Sequence, residues 1–429
     1  MNAAAPAILA GLVAAMAVTP NTAGGLTPIE TLGKSVFFDR ALSLGGNQAC
    51  ADCHEPAVGG TGAVPALNRA GSVYPGSVPD RFGERKPPSS SYATQAPVLH
   101  YVMEDGDALF IGGNFWDGRA TGEDLGNPAA DQARGPFLNP VEHGLADAAC
   151  VVRRVCLPSE PGAYPVRMTD VWGEDACAID WPEGVEAACS TEQPVDMSAA
   201  ARAKVNTAFD RVALAITAYE ASVESNPFSS KFDAWLAGQA ELTALEHKGR
   251  ELFAGKGRCA DCHTMEVGAN GEPPLFTDYT YDNLGTPRNP DNPAYRSNPG
   301  FVDLGLGGFL ATREDYAPLA AQNRGKHKVP TVRNVDLRPS PDFPKAYMHN
   351  GYFKTLEGMV HFYNTRDTKP VCADRLTREA DALAQDCWPA PEVAETVNTE
   401  ELGNLGLTAA EEKAIVAFMK ALSDGYFEP

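Results

Sequence analysis

Two pentapeptides of identical spelling, Cys50-Ala51-Asp52-Cys53-His54 and Cys259-Ala260-Asp261-Cys262-His263, stand far apart in a chain of 429 residues. Thiols at i and i+3 lie on one side of a helical turn, and an imidazole follows at once. Paired cysteines of this spacing also serve as zinc hooks, but zinc does not require a histidine directly after the second cysteine. A haem does use it. The two thiols reach its two vinyl groups as thioethers, and the histidine comes under the iron as the proximal ligand. The pattern therefore predicts two covalently bound haem c groups, on Cys50, Cys53 and His54 and on Cys259, Cys262 and His263, with both histidines as metal ligands.

The surroundings of the motifs repeat as well. Gly33-Lys34-Ser35-Val36-Phe37 precedes the first, and Gly249-Arg250-Glu251-Leu252-Phe253 precedes the second. Ala215-Ile216-Thr217-Ala218-Tyr219 closes one half, and Ala414-Ile415-Val416-Ala417-Phe418 closes the other. Apolar spacing predicts helices over 209–223, 244–253 and 409–422, the last opened by a capping box of Thr408 and Glu411. No alternating segment is long enough to predict a sheet. Gly305-Leu306-Gly307-Gly308 lacks the preceding strand and the full spacing of a nucleotide loop. The fold class expected is mainly α: two cytochrome c-like helical lobes with haems between them and long irregular loops. The lobes are expected over 24–240 and 241–429, with a disulfide-rich inserted loop at 145–200 in the first.

Residues 5–18 form an apolar stretch too short to span a bilayer comfortably. With Ala15-Met16-Ala17 as a cleavage site it reads as a signal peptide over 1–23, although no Lys or Arg occurs before Lys34. Ten cysteines minus four in the motifs leave six, an even number suited to disulfides in an oxidising compartment. Sequence neighbours suggest Cys150–Cys156, Cys177–Cys189 and Cys372–Cys387. The chain is therefore expected in the periplasm. A net charge of −21 excludes a nucleic-acid partner. It fits either a solvated acidic surface or one that steers a basic protein.

Beyond the haem motifs, four segments are informative together: Phe115-Trp116-Asp117-Gly118-Arg119, 135–142, 328–335, and Tyr347-Met348-His349-Asn350-Gly351 with Thr355-Leu356-Glu357. With these the chain resembles the bacterial dihaem cytochrome c peroxidase family, on its MauG/MbnH-like branch, over essentially the whole mature chain. The resemblance implies that the first haem is the peroxide site, lined by Glu142 and by Gln132 ten residues earlier, with Pro136 between them. A carboxylate raised towards neutrality by a partly dry pocket can carry a proton between the peroxide oxygens. The resemblance also makes Trp116 the relay between the haems. The family's loop histidine, which blocks the first haem in many resting peroxidases, has no counterpart in 80–91. His100 lies beyond the place and reads as a packing or outer-sphere histidine, so the first haem is expected to be open.

At the second haem the family's spacing from His349 lands on Tyr363, where peroxidases that use cytochrome c carry a Met. A phenolate is a hard anionic donor that favours oxidised iron, while a thioether favours Fe(II). Tyr363 is thus the expected metal ligand, ahead of Met359 and His361, and His349 is expected near the site but off the iron. Two departures are visible. Lys86 stands where the family's calcium site uses an Asn side chain. Lys256-Gly257-Arg258 replaces a surface Trp that MauG carries before its second haem motif.

The leading expectation is an enzyme that reduces hydrogen peroxide to water, with electrons passing through the second haem from a small c-type cytochrome or copper protein. A second reading has peroxide drive oxidation of a Trp or Tyr on a partner protein substrate. A third, an electron-transfer cytochrome without an open site, is disfavoured by Glu142 with Gln132.

Overall fold

A computed structural model describes residues 25–427 apart from 105, 158–163 and 269–270. The expected signal peptide lies outside the described residues.

Helix α1, Pro28–Phe37, begins at a capping box of Thr27 and Glu30 with Pro28 at the first helical position. Its buried face, Leu32, Val36 and Phe37, packs on a long helix described below. Two helices, α2 over Pro128–Leu138 and α3 over Ala148–Cys156, follow. After α4, Tyr164–Trp172, comes α5, Ala199–Ala221, capped by Ser198. α5 lies against α1, α2 and α3. The second half repeats the scheme. α6, Lys231–Leu236, leads to α7, Ala244–Ala254, whose capping box is Thr243 with Glu246. α8 spans Leu356–Thr365, and α9 spans Ala409–Lys420 with the expected Thr408–Glu411 box. α7 packs on α9 as α1 packs on α5.

The two crossings are built alike. A Cβ added at Gly33 would stand 1.8 Å from the carbonyl oxygen of Ala215, and one at Gly249 would stand 1.9 Å from that of Ala414. Only glycine lets the helices touch backbone to backbone there. Around the first crossing Val36, Phe37, Val212 and Ile216 form one core, and around the second Leu252, Phe253, Ile415 and Phe418 form another. Phe232 of α6 precedes the expected lobe boundary, yet its ring packs against Phe276 and Phe418 of the second core.

Three expectations need correction. The segment 145–200 is largely helical: α3 and α4 lie in it, and Cys150, Val151, Val152 and Val155 belong to the first core. Its cysteines pair as Cys150–Cys189 and Cys156–Cys177, while Cys372–Cys387 is as expected. Cys150 and Cys156 cannot bond to each other because both sit on α3. Six residues of helix rise about 9 Å, beyond the roughly 7 Å that a disulfide spans. Small sheets also occur. β1, His100–Glu104, and β2, Asp107–Ile111, form an antiparallel hairpin, and β3, Tyr281–Asp282, pairs with β4, His327–Lys328. The hairpin shows alternation only in β2, where Ala108 and Phe110 are buried, while β1 is exposed throughout.

Arg85 ties the halves together. It donates to Asp117 at 2.5 Å and, through two nitrogens, to Asp303 at 2.7 Å each. Its charge holds both carboxyls below their ordinary range against the burial that would raise them.

Gly249→Ala should destabilise the holoprotein although alanine is the better helix former. The propensity gain is about 1 kcal/mol, and overpacking against a backbone carbonyl costs about 1–3 kcal/mol or more. A denaturation midpoint equal to wild type would remove this contact from the account of the fold.

Arg85→Ala should cost about 3–5 kcal/mol near neutral pH, because it removes the guanidinium shared by two buried carboxylates and leaves Asp303 with His327 and Asp117 with Arg119 alone. In wild type the depressed carboxyls contribute stability that is present above their unfolded value of about 4 and lost as pH falls through the folded values. In the variant the same carboxyls rise, so its deficit should shrink between about pH 7 and pH 5. Urea titrations at both pH values check this; a deficit that grows with acid contradicts it.

Candidate active site

Each Cys-x-x-Cys-His segment opens directly onto a cavity. The first cavity, of about 540 Å³, is lined by Cys50, Cys53 and His54. The second, of about 190 Å³, is lined by Cys259, Cys262 and His263. Cys50–Cys53 forms one helical turn and Cys259–Asp261 a tighter 3-10 turn. All four thiols are free while the other six cysteines are consumed in disulfides.

The histidines fit an axial role. His54 Nδ1 lies 3.2 Å from the Gly60 carbonyl, and His263 Nδ1 lies 2.9 Å from that of Phe276. A carbonyl can only accept, so these contacts place the ring proton on Nδ1 and leave Nε2 as a lone pair. Burial lowers both imidazoles and keeps them neutral, the form that binds a metal. Paired free thiols beside a neutral histidine of fixed tautomer, on the wall of a cavity, suit a haem in each half.

The first cavity also receives Gln132, Pro136 and Glu142. Pro136 sits within α2 and has no N–H for the carbonyl of Gln132, one turn earlier. The helix therefore ends soon after, and the chain turns at Asn139, whose carbonyl accepts from Glu142 N at 3.0 Å. That turn brings the Glu142 side chain back to the cavity. Burial pushes its carboxyl up, and the Arg119 charge and the Asn139 side chain partly oppose the shift. Arg119 is itself fixed, its guanidinium 3.7 Å above the Phe115 ring and 2.8 Å from Asp117.

Trp116 lines both cavities and is buried. Its indole N–H donates to the Lys86 carbonyl at 2.8 Å. Phe115 before it has a φ of +62°, a left-handed conformation that turns the chain inward. Lys86 and Lys328 line both cavities too. Burial lowers Lys86 to about 8 and Lys328 to about 7. Their ammonium groups find neutral acceptors: the Pro87 carbonyl for Lys86, and Asn114 Oδ1 at 2.8 Å with the Gly113 carbonyl for Lys328.

Tyr363 and Met359, one turn apart on α8, both line the second cavity. The Tyr363 hydroxyl has no hydrogen-bond partner among the described residues, and burial holds the phenol above its ordinary value. His361 lies off the cavity wall and bonds Glu412 at 2.9 Å. His349 lines the second cavity and stacks on His327 with ring centroids 3.5 Å apart. His327 Nε2 stands 3.3 Å from the Asp303 carboxylate, and His349 meets Trp116 edge to face. His100 is exposed on β1 with Nδ1 2.9 Å from the Val98 carbonyl, so it neither packs nor approaches a cavity. Sequence reasoning passed over His327, Asp303 and Glu220. The last is a buried residue of α5 on the first cavity wall. Laying the two repeats side by side would have found Glu220, because its counterpart is Met419.

These features have parallels among known proteins. The family model for di-haem cytochrome c peroxidase matches residues 28–241. The methylamine utilization protein MauG of Paracoccus denitrificans is 34% identical over 404 residues, covering 94% of this chain and 90% of that protein. Cytochrome c551 peroxidase of Nitrosomonas europaea is 29% identical over 345 residues, covering 80% of this chain and 74% of its own. The crystal structure of the diheme peroxidase BthA from Burkholderia thailandensis superposes with a TM-score of 0.70 at 30% identity, covering 94% of this chain and 87% of the other. A mainly helical chain with two like-built haem cavities and relatives of this identity over nearly its whole length belongs to the di-haem cytochrome c peroxidase family.

Proposed function

We propose that this chain reduces hydrogen peroxide to water at its first cavity, with electrons arriving through the second. The observation that carries the reading is an asymmetry: Glu142 and Gln132 line the first cavity, while Tyr363 and Met359 line the second. Cys50 and Cys53 would hold one haem as thioethers with His54 beneath the iron, and Cys259, Cys262 and His263 would hold the other. When bound, the haems supply the irons that accept, store and deliver the electrons.

The protein's part is to bind, orient and move protons. Reduction of peroxide to two waters consumes two electrons and two protons. Glu142 takes the proton from one peroxide oxygen and returns it to the other, so that the outer oxygen departs as water. Burial raises its carboxyl, so it holds a proton more readily than an exposed carboxylate and suits both halves of that transfer. Gln132 offers an amide donor to the same space and cannot itself ionise. Trp116, shared by both walls, gives the electron an oxidisable ring between the two cavities. Lys86, where the family's calcium site uses an Asn side chain, puts an ammonium in place of an oxygen ligand and argues against calcium there.

A second reading is favoured by Tyr363. An anionic oxygen donor at the second iron stabilises oxidised metal, and a longer-lived oxidised state suits oxidation of a Trp or Tyr on a partner protein. The acidic surface, at a net charge of −21, favours a basic face on whichever protein docks, a small cytochrome, a copper protein or a substrate. Three disulfides fit an oxidising compartment such as the periplasm. No helix among the described residues is long and apolar enough to cross a membrane.

Glu142→Gln should leave both haems attached and slow the reaction with peroxide by about 10²–10⁴-fold. Stopped-flow mixing of the oxidised protein with peroxide measures it, and unchanged kinetics would take Glu142 out of the mechanism.

Tyr363→His should keep both haems, since attachment rests on the Cys-x-x-Cys-His segments, and should shorten the life of the peroxide-oxidised protein. Its low-spin electron paramagnetic resonance signal should change from that of wild type. Wild-type spectra that show histidine and methionine on the second iron, lost in Met359→Leu, would exclude the tyrosine and with it the main support for a protein substrate.

A further inference from the structure

The two repeats agree residue by residue where α5 and α9 cross their partner helices. A Cβ at Gly33 would meet the Ala215 carbonyl and Tyr219 Cβ, and one at Gly249 would meet the Ala414 carbonyl and Phe418 Cβ. Ala215 thus corresponds to Ala414, and Tyr219 to Phe418. One residue on, Glu220 corresponds to Met419. Both side chains line their cavity, as do Ile216 and Ile415 one turn earlier. The repeat therefore places a carboxyl in the first haem cavity at the point where the second has a thioether.

Glu220 is 5% exposed, and its carboxyl makes neither a hydrogen bond nor an ion pair among the described residues. Its backbone carbonyl accepts from the Asn226 side chain at 2.8 Å. The charged groups on the elements around α5 are engaged elsewhere. Lys34 of α1 pairs with Glu224, and Arg134 of α2 reaches Asp124, Asp131 and Asp210. On α3, Arg153 pairs with Glu186, and Arg154 donates to the carbonyls of Ala41 and Ser43. Across the cavity, Arg119 is held by Asp117 and acts on Glu142, and His143 Nδ1 lies 3.1 Å from the Leu42 carbonyl. The groups that feel Glu220 most directly are Cys50 and Tyr219, both raised in part by its charge. A buried carboxyl with no counter-ion keeps its proton. Burial alone pushes this one up to about 8.

We propose that Glu220 couples a proton to the electron held in the first cavity: when the iron there is reduced, the Glu220 carboxylate takes up one proton, and when it is oxidised the proton is released. The inference rests on the reading that the first cavity holds a haem. One electron comes from the one-electron donor protein and one proton from solvent, so reduction leaves the net charge of this region unchanged. Oxidation raises the positive charge beside Cys50 and favours the carboxylate; reduction removes that charge and favours the acid. Met419 offers no such group at the matching position of the second cavity. The asymmetry matches the chemistry, because peroxide reduction consumes protons at one site only.

The test is a spectroelectrochemical titration of the holoprotein between about pH 6 and pH 9, the range around a strongly raised carboxyl. Over part of that range the potential of the first haem should fall with pH, a tenfold change in the equilibrium per pH unit, or about 59 mV for a one-electron couple. Glu220→Gln, which keeps shape and polarity, and Glu220→Met, which copies the other half, should both abolish the slope at the first haem and leave the second unchanged. A slope that persists in Glu220→Gln with both haems attached assigns the proton elsewhere and overturns this inference alone. A pH-independent first haem in wild type overturns it as well. A haem count of one, with no haem on Cys50 and Cys53, sinks the two-haem reading and the inference together.

Discussion

Each half of this molecule depends on one close contact, in which the backbone of one helix touches the backbone of another. Gly33 lies against Ala215, and Gly249 against Ala414, at separations that no side chain could enter. The contact fixes where α1 ends relative to α5, and where α7 ends relative to α9. The end of the first helix sets the start of the Cys-x-x-Cys-His turn, and the far face of the second helix forms a cavity wall through Ile216 or Ile415. Thiols, histidine and wall are thus positioned by a single steric constraint, used twice. The apolar cores around it are interchangeable in kind, and each carries disulfides, two that secure α3 in the first and Cys372–Cys387 in the second.

Symmetry of scaffold makes the asymmetries informative. Positions at the crossings are alike because geometry leaves little choice. Positions facing the cavities are not, and there the halves diverge: Glu220 against Met419, and the turn carrying Glu142 against the helix carrying Tyr363. The wall between the cavities belongs to neither repeat. It is built from Trp116, Lys86 and the Lys328 strand, with Arg85 bridging Asp117 and Asp303 beside it. Among the described residues Lys86 and Lys328 have no carboxylate partner and rest on carbonyl and amide oxygens. An ammonium in that setting lowers the energy of any negative charge brought to the cavity edge, and it does so from both sides at once.

Much of this was legible in the sequence because the constraints are local. The thiol and histidine spacing is a property of one turn. The capping box at Thr408 is read three residues at a time, and it is formed. Glu142 with Gln132 came only with the family resemblance, and the two line one cavity. What escaped was set by distant packing. Cys150 and Cys189 meet because α3 enters the first core, which composition rich in Pro, Gly and Cys concealed. The hairpin of β1 and β2 escaped because only β2 alternates, and β1 is exposed on every residue. Asp303, His327 and His349 come together from three separate stretches. Arg333 looks like a surface arginine in sequence, yet it is buried against Asp233, at 2.8 Å, among the rings of Tyr92, Phe228 and Phe276.

The second cavity shows how little sequence separates two chemistries in this fold. Met359 and Tyr363 are one helical turn apart and line the same space, so either side chain can be offered to a metal by a small change in the pitch or rotation of α8. What holds the helix in its present rotation is the polar bonding of its opposite face. His361 and Asn364 both bond Glu412 of α9, and Asn364 also exchanges hydrogen bonds with the backbone of Leu407. These contacts turn His361 away from the cavity, leaving the phenol of Tyr363 facing it without a partner. Glu412, which touches neither cavity, thereby helps set which residues of α8 face the second one.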